Sequence, residues 1–249
     1  MYAQAETIRP TSWDQIAQPL LRAMEQFDDN VASGLANMGD LQNGKGDFFN
    51  DLLALILETA TGAELGSRRK VPGLIFPENN LDIAYPPSGH IRFLIEAKAV
   101  GTPKHPGNPT SLPFGRGGSA DIDKRIKELS FKAIDLKAEY ARQQSLAGLT
   151  PGSVAGPTGN LTTWLRSVPP LVFLFIMGRV IDDRDHAALV RSADRASKVM
   201  DGVGLYCFEP RSATEPTRYV ERAVPDHLEL SRVLFAAAQD LTAMAATQP

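Results

Sequence analysis

Hydrophobic and polar positions along the chain predict alternating helices and strands. In five segments the apolar residues recur every three or four positions, which is typical of helices packed on one side. Asp47 is the expected N-cap of the second of these helices, and Gly62 is its expected end. The predicted helices cover residues 12–38, 47–62, 120–142, 182–200 and 226–246.

Short apolar runs between these segments predict five strands. The runs 81–85 and 91–100 are separated by Pro86, Pro87, Ser88 and Gly89, which indicates a hairpin. A continuous apolar run at 171–177 indicates a central strand covered on both faces. Two further strands are predicted at 71–76 and 203–208, and the segments 101–119 and 143–163, rich in Gly and Pro, are predicted loops. This order predicts an α/β fold with a mixed central sheet flanked by helices.

Length and composition indicate a single globular domain of 249 residues. Its expected parts are an N-terminal helical region (1–42), a core (47–208) and a C-terminal helix (225–247). Hydrophobic residues make up 43% and charged residues 22%, and no apolar run reaches the roughly 20 residues that span a bilayer. The N-terminus lacks a secretory pattern, so a cytoplasmic protein without a membrane partner is expected.

Charge and cysteine content narrow the possible functions. The net charge of −3 does not favour unspecific nucleic-acid binding, so local basic patches would have to provide it. A single cysteine, Cys207, excludes an internal disulfide and a zinc site built on several cysteines. It lies in an apolar run and is expected to be a buried, inert thiol.

The chemically most informative residues lie on the predicted hairpin. Glu96 and Lys98 project from the same face of its second strand, and antiparallel pairing can place Asp82 beside Glu96. Two buried carboxylates are unfavourable unless a cation lies between them or their pKa values shift. An oxygen-preferring divalent cation such as Mg²⁺ meets this requirement. The simpler alternative is a structural ion pair between Glu96 and Lys98.

Asp82 followed by Glu96-Ala97-Lys98 resembles the PD-(D/E)XK nuclease superfamily, which includes many type II restriction endonucleases. Its pattern is an acid at the end of one strand and then Asp or Glu, any residue and Lys on the next. The sequence departs from it at Leu81, where Pro is usual. The resemblance covers about residues 47–208 and implies an α-β-β-β-α-β-α-β core with added N- and C-terminal helices.

The resemblance also implies an activity, a cofactor and a set of site residues. The expected activity is metal-dependent hydrolysis of double-stranded DNA with Mg²⁺, for which Mn²⁺ can substitute. Asp82, Glu96 and the Ala97 carbonyl would hold the metal, and Lys98 would orient or help deprotonate the attacking water. An additional acid would come from the preceding helix, with Glu58 in the appropriate position and Glu78 as the alternative.

Within this family, a homodimeric type II restriction endonuclease is the expected protein, because the chain has a suitable size and palindromic sites match two-fold symmetry. Nucleases for repair, junction resolution or phage defence remain alternatives. A catalytically inactive DNA-binding or assembly module is another.

Several cations are candidate DNA contacts, because phosphate neutralisation provides much of nucleic-acid affinity. The alternative is that these cations are ordinary solvated charges and that the loop 101–119 is merely a flexible segment. In the helix 120–142, oppositely charged residues four positions apart, such as Glu128 and Lys132, indicate a solvated face. The candidate contacts are Arg68, Arg69 and Lys70 before the predicted strand 71–76, Lys104, His105 and Arg116 in the loop 101–119, and Lys124 near the start of the next helix.

Overall fold

A computed structural model describes residues 13–104, 114–146 and 160–247. The helices are α1 (Trp13–Ala32), α2 (Met38–Thr61), α3 (Ser119–Leu146), α4 (Leu161–Ser167), α5 (Asp183–Ala196) and α6 (Leu230–Ala245). The strands are β1 (Gly66–Val71), β2 (Asn79–Tyr85), β3 (Phe93–Val100), β4 (Leu171–Arg179), β5 (Gly202–Pro210) and β6 (Tyr219–Arg222). A 3₁₀ turn, Asp226–Leu228, precedes α6.

The six strands form one open mixed sheet in which the spatial order equals the sequence order. β1, β2 and β3 form an antiparallel meander, whereas β3, β4 and β5 are parallel. β6 pairs antiparallel with β5. β4 is buried along nearly all of its length, so the predicted central strand is confirmed. The predicted α/β class with a mixed sheet is also confirmed.

Helices cover both faces of the sheet and enclose two hydrophobic cores. On one face, α1, α2 and α6 pack against alternate strand residues that include Ile95 and Phe175. On the other face, α3 and α5 pack against Leu94, Leu174 and their neighbours. Since alternate residues of a strand point to opposite faces, Glu96 and Lys98 lie on the side of α3.

The N-cap of the second helix lies ten residues earlier than predicted. Asn37, not Asp47, is the N-cap of α2, and its side chain accepts a hydrogen bond from the Asp40 backbone amide at 3.0 Å. The glycines between these positions do not prevent the helix, because Lys45 and Phe48 are buried on its packed side. The end at Gly62 is confirmed, where φ of 69° suits a residue without a side chain.

The first strand also lies earlier than predicted. β1 covers Gly66–Val71 and pairs with β2, whereas the apolar residues 74–76 are outside the sheet. The prediction of a strand at 71–76 was wrong because hydrophobicity was taken as the signal. β1 is an edge strand with an exposed side, and charged residues are common on such strands.

Four smaller features were missed in the sequence: the last turn of α3, the helix α4, β6 and the 3₁₀ turn. The predicted loop 143–163 contains the end of α3 and the start of α4, and its residues 147–159 lie outside the described part. β6 and the 3₁₀ turn were not predicted. In residues 13–104, 114–146 and 160–247 no helix is both long and apolar enough to cross a bilayer.

Cys207 is expected to be unreactive in the folded protein. It is buried in β5, and burial raises the pKa of its thiol to about 12. Since the thiolate is the reactive form, the thiol stays protonated and protected at pH 8. Titration with Ellman's reagent should detect no fast-reacting thiol in the native protein and one after unfolding in guanidinium chloride. Rapid labelling of the native protein would contradict the packing of β5.

Candidate active site

The hairpin of β2 and β3 brings the three charged residues of the sequence pattern together. Ile83 pairs with Ile95 at this end of the β2–β3 ladder, and Asp82 and Glu96 lie one residue beyond this pair on their strands. Lys98 Nζ lies 2.8 Å from Asp82 Oδ2 and 3.0 Å from Glu96 Oε2. The backbone amide of Ala97 also donates to Asp82 Oδ2, at 2.9 Å. The Asp82 carboxylate is thereby fixed against β3.

A second lysine completes the cluster from the other side. Lys132 on α3 donates to Glu96 Oε1 at 2.6 Å and to the Asn80 carbonyl at 2.6 Å. Glu96 is only 2% exposed, so its charge requires compensation, and one ammonium contacts each of its oxygens. The cluster therefore contains two carboxylates and two ammonium groups. The sequence had indicated that Lys132 pairs with Glu128 on a solvated face; instead it points towards the hairpin.

Lys98 is held in its charged form. Burial by itself would lower the pKa of this lysine, but the negative charges of Glu96 and Asp82 and the hydrogen bonds to both outweigh burial and raise the pKa. Lys98 is consequently a protonated hydrogen-bond donor at neutral pH. This state suits the stabilisation of negative charge rather than the removal of a proton from water.

A cleft of about 380 Å³ opens beside this cluster. Asp82 and Lys98 form part of its wall, and their side chains are 32% and 25% exposed. Three guanidinium groups also line the cleft, those of Arg68, Arg116 and Arg125. A cleft that combines carboxylates with several guanidinium groups can accept a phosphate chain together with a hard cation.

Asn50 is one of several residues of α2 that line the cleft. Its amide nitrogen contacts the Asp82 carbonyl at 3.4 Å, and its buried Oδ1 has no hydrogen-bond partner within the described part of the chain. A buried amide oxygen without a partner is unfavourable unless a ligand or water satisfies it. The sequence signal for Asn50 was an amide on the packed side of an apolar helix, two residues after Phe48.

The structure does not bring Glu58, the expected additional acid, to the cleft. Glu58 follows Asn50 by eight residues, which is about 12 Å along the helix. Its Oε1 accepts a hydrogen bond from the Leu65 amide at 2.9 Å, at the start of β1. Glu78, the alternative, pairs with Lys70 at 2.8 Å, and both side chains are largely exposed.

The consecutive cations of β1 point in different directions and do not form one clamp. Arg68 lines the cleft, where it pairs with Asp47 at 2.9 Å. The guanidinium of Arg69 instead donates to the carbonyls of Pro86 and Gly89 in the hairpin turn. Lys70 is the residue that pairs with Glu78.

The other candidate DNA contacts also differ in location. Arg116 lines the cleft and pairs with Asp121 at 2.7 Å, and Lys104 is exposed. Lys124 is an exposed residue of α3, 3.8 Å from Glu128. His105 lies outside the described residues.

The oxygen donors of this site fit Mg²⁺ better than a transition metal. Asp82, Glu96 and the Ala97 carbonyl are hard ligands, and Mg²⁺ commonly uses one or two carboxylates together with water and phosphate oxygens. The described residues contain no group of three or more His, Cys, Asp or Glu side chains placed to hold a metal.

The fold and the site together define an α/β protein with an acid-and-lysine cluster at the edge of a basic cleft. Comparisons with models of known protein families, with curated proteins and with solved structures found no match to this chain. Its function must therefore be inferred from the site itself.

Proposed function

We propose that this protein is a metal-dependent endonuclease that hydrolyses phosphodiester bonds of double-stranded DNA. The observation that carries the proposal is the contact of Lys98 with both Asp82 and Glu96 at the wall of a cleft lined by guanidinium groups. The element order of a helix, a three-stranded meander and two crossovers agrees with a restriction endonuclease-like core. This topology is part of the proposal.

Each residue of the cleft has a proposed role. Asp82, Glu96 and the Ala97 carbonyl would hold Mg²⁺ or Mn²⁺, which when bound makes water nucleophilic at neutral pH and offsets phosphate charge. Lys98, whose charged form is favoured by its two carboxylate neighbours, would donate to the attacked phosphate and stabilise the charge that develops on it. Lys132 positions Glu96 from α3.

The arginines of the cleft provide phosphate contacts. Arg68 and Arg116 pair with Asp47 and Asp121 in the free protein, but these ion pairs are about half exposed. Exposed pairs contribute at most about 1 kcal/mol, so a DNA phosphate can replace the carboxylate partner. Each arginine can then bind a phosphate with two parallel hydrogen bonds.

Within this class we propose a type II restriction endonuclease that acts as a homodimer on a palindromic site. One cleft cuts one strand, and two-fold symmetry would present a second cleft to the other strand. A repair, junction-resolving or phage-defence nuclease would use the same cluster on another DNA structure.

A second candidate is a DNA-binding module without catalysis. The observation in its favour is that Lys98 and Lys132 already neutralise the two carboxylates without a metal. In that case the cluster would be a structural ion-pair network, and the cleft would bind phosphates only.

Cleavage of plasmid and phage DNA by the purified protein tests the two candidates. We expect discrete fragments in the presence of MgCl₂ and none with EDTA, with Mn²⁺ able to replace Mg²⁺. Glu96→Gln, which preserves shape but removes the charge, should cleave neither DNA. Binding without cleavage across DNA of varied sequence, modification and structure would favour the module, and loss of both would refute an action on DNA.

A further inference from the structure

A second surface beside the cleft presents apolar side chains to solvent. We define the apolar tip as Leu74, Ile75 and Phe76, in the turn between β1 and β2, together with Phe131 on α3. These side chains are 49%, 64%, 45% and 46% exposed, respectively. The rings of Phe76 and Phe131 pack edge to face with centroids 5.4 Å apart. Four large apolar residues in contact with solvent indicate an interaction surface.

The turn that carries the tip is held in position by a buried carboxylate. Asp135 is 1% exposed, and its side chain accepts hydrogen bonds from the Ile75 and Phe76 amides and from Asn79 Nδ2. The Gly73 amide donates to the Phe76 carbonyl at 2.8 Å and closes the turn.

Gly73 has a specific reason to lack a side chain. A Cβ atom at this position would lie 1.8 Å from Asp135 Oδ2, so any other residue would displace the carboxylate. The turn is therefore a fixed structure that holds three consecutive apolar side chains outward, since a buried and fully used carboxylate supports it.

The tip adjoins the proposed active site. Phe131 precedes Lys132, which contacts Glu96, and it follows the cleft residue Arg125 by six positions, about 9 Å along the helix. Asn79 and Asn80 lie at the start of β2, between the turn and Asp82. The Asn79 side chain donates to Asp135, and the Asn80 carbonyl accepts a hydrogen bond from Lys132. The tip is therefore one residue away from a contact of the proposed site on α3, although Phe131 faces a different side of the helix from Arg125.

The charge around the tip indicates what kind of molecule would bind there. Lys70 precedes the turn, Lys124 and Lys127 lie seven and four residues before Phe131 on the same side of α3, and all three side chains are exposed. Lys70 and Lys124 pair with the exposed residues Glu78 and Glu128, and such pairs are weak enough for phosphates to replace. An apolar tip within a basic surround suits a polyanion with an apolar interior.

We propose that the apolar tip is a wedge that inserts between base pairs of the bound DNA and unstacks them next to the scissile phosphate. Apolar side chains such as Leu, Ile and Phe are the residues that proteins use in this way, and the surrounding cations would hold the flanking phosphates. This inference rests on the proposed action on DNA and extends it: the substrate is a duplex deformed at the cleft. Unstacking would favour flexible pyrimidine–purine steps.

DNA unwinding measures the wedge directly. Glu96→Gln serves as the background in which DNA is not cut. Relaxation of a plasmid by a type IB topoisomerase in EDTA, with and without this protein, should leave a changed linking number, because insertion between base pairs unwinds the duplex. Adding Leu74→Ser, Ile75→Ser and Phe76→Ser should abolish the change and weaken binding to a linear plasmid fragment about tenfold.

Two further variants exclude simpler explanations. Phe235→Ser, which replaces an apolar residue of α6 that is 66% exposed, is the matched control and should unwind DNA like the background. Ile75→Met, which stays apolar, should also retain unwinding. Circular dichroism and thermal melting establish that each variant is folded.

The possible failures are distinguishable. If Glu96→Gln does not bind DNA, the action on DNA and the wedge are both refuted. If it binds DNA and the serine variant unwinds DNA equally well, only the wedge is refuted. If the serine substitutions convert a dimer into a monomer in light scattering and leave unwinding per bound protomer unchanged, the tip contacts a second copy of the chain and the wedge is again refuted.

Discussion

Lys98→Met is expected to reduce the rate of Mg²⁺-dependent DNA cleavage by about 100- to 1,000-fold, the usual effect of removing one donor that stabilises transition-state charge. The ammonium is the donor that contacts both carboxylates of the cluster, and methionine has no group that can replace it. The measurement is the single-turnover cleavage rate at saturating enzyme. The substrate is a linearised plasmid that the wild-type protein cuts into fragments of known length.

Metal binding and folding must be separated from catalysis in this variant. Methionine preserves most of the side-chain length, and Glu96 retains its contact with Lys132. The two carboxylates also remain, so the affinity for Mn²⁺, measured by calorimetry, should be at least as high in Lys98→Met as in the wild-type protein. Lys98→Arg, which keeps the charge, should retain more activity than Lys98→Met.

Lys198→Met is the matched control, because Lys198 is exposed, follows the end of α5 and does not line the cleft. It should cleave like wild type. A Lys98→Met protein that cleaves at the wild-type rate would show that the ammonium has only a structural role.

The sequence was sufficient to predict the central elements of this fold. Apolar runs of strand length are reliable where a strand is buried on both faces, and β4 and β5 are of this kind. The hairpin that brings Asp82 to Glu96 was predicted because Pro86 to Gly89 form a strong turn signal between two apolar runs. Local pattern and tertiary packing agree in these elements.

Edge elements and long-range contacts could not be predicted in the same way. β1 is charged because one side of it faces solvent, and the apolar residues after it form the tip rather than a strand. Lys132 is 36 residues from Glu96, so its contact depends on how α3 crosses the sheet. Glu58 was predicted to be the additional acid from its position in the chain order, whereas Asn50, eight residues earlier on the same helix, lies in the cleft.

A buried network of charges that includes the cleft residue Lys45 provides the largest expected effect on stability. Asp28 on α1 is 0% exposed; its Oδ1 lies 2.5 Å from Lys45 Nζ, and its Oδ2 accepts a hydrogen bond from the Tyr219 hydroxyl. Arg179 at the end of β4 is also fully buried, 4.0 Å from Asp28 Oδ2, and it donates to Tyr219. One carboxylate therefore serves two buried cations from α2 and β4.

Asp28→Ala is expected to lower the free energy of unfolding by about 3–5 kcal/mol, because it leaves Lys45 and Arg179 buried without their negative partner. The measurement is urea unfolding followed by circular dichroism, with equal slopes required for the comparison. The neighbouring Asp29→Ala is the control. Asp29 forms a partly exposed pair with Arg218 and accepts a hydrogen bond from the Thr217 hydroxyl, so its removal should cost about 1–2 kcal/mol, less than the removal of Asp28.

Lys45→Met in the Asp28→Ala background tests the cause. Burial already lowers the pKa of Lys45, with Asp28 opposing the effect, so in Asp28→Ala the ammonium becomes the main source of instability. Removing it should restore part of the lost stability, and the coupling energy of the double-mutant cycle should exceed that of distant sites. If the two substitutions are additive, or if Asp28→Ala costs no more than Asp29→Ala, the network does not stabilise the fold. A favourable coupling would mean that the ion network holds α2 in place through Lys45. Asn50, five residues later on α2, lines the cleft. The packing of α1 and β4 would then help to determine the geometry of the site.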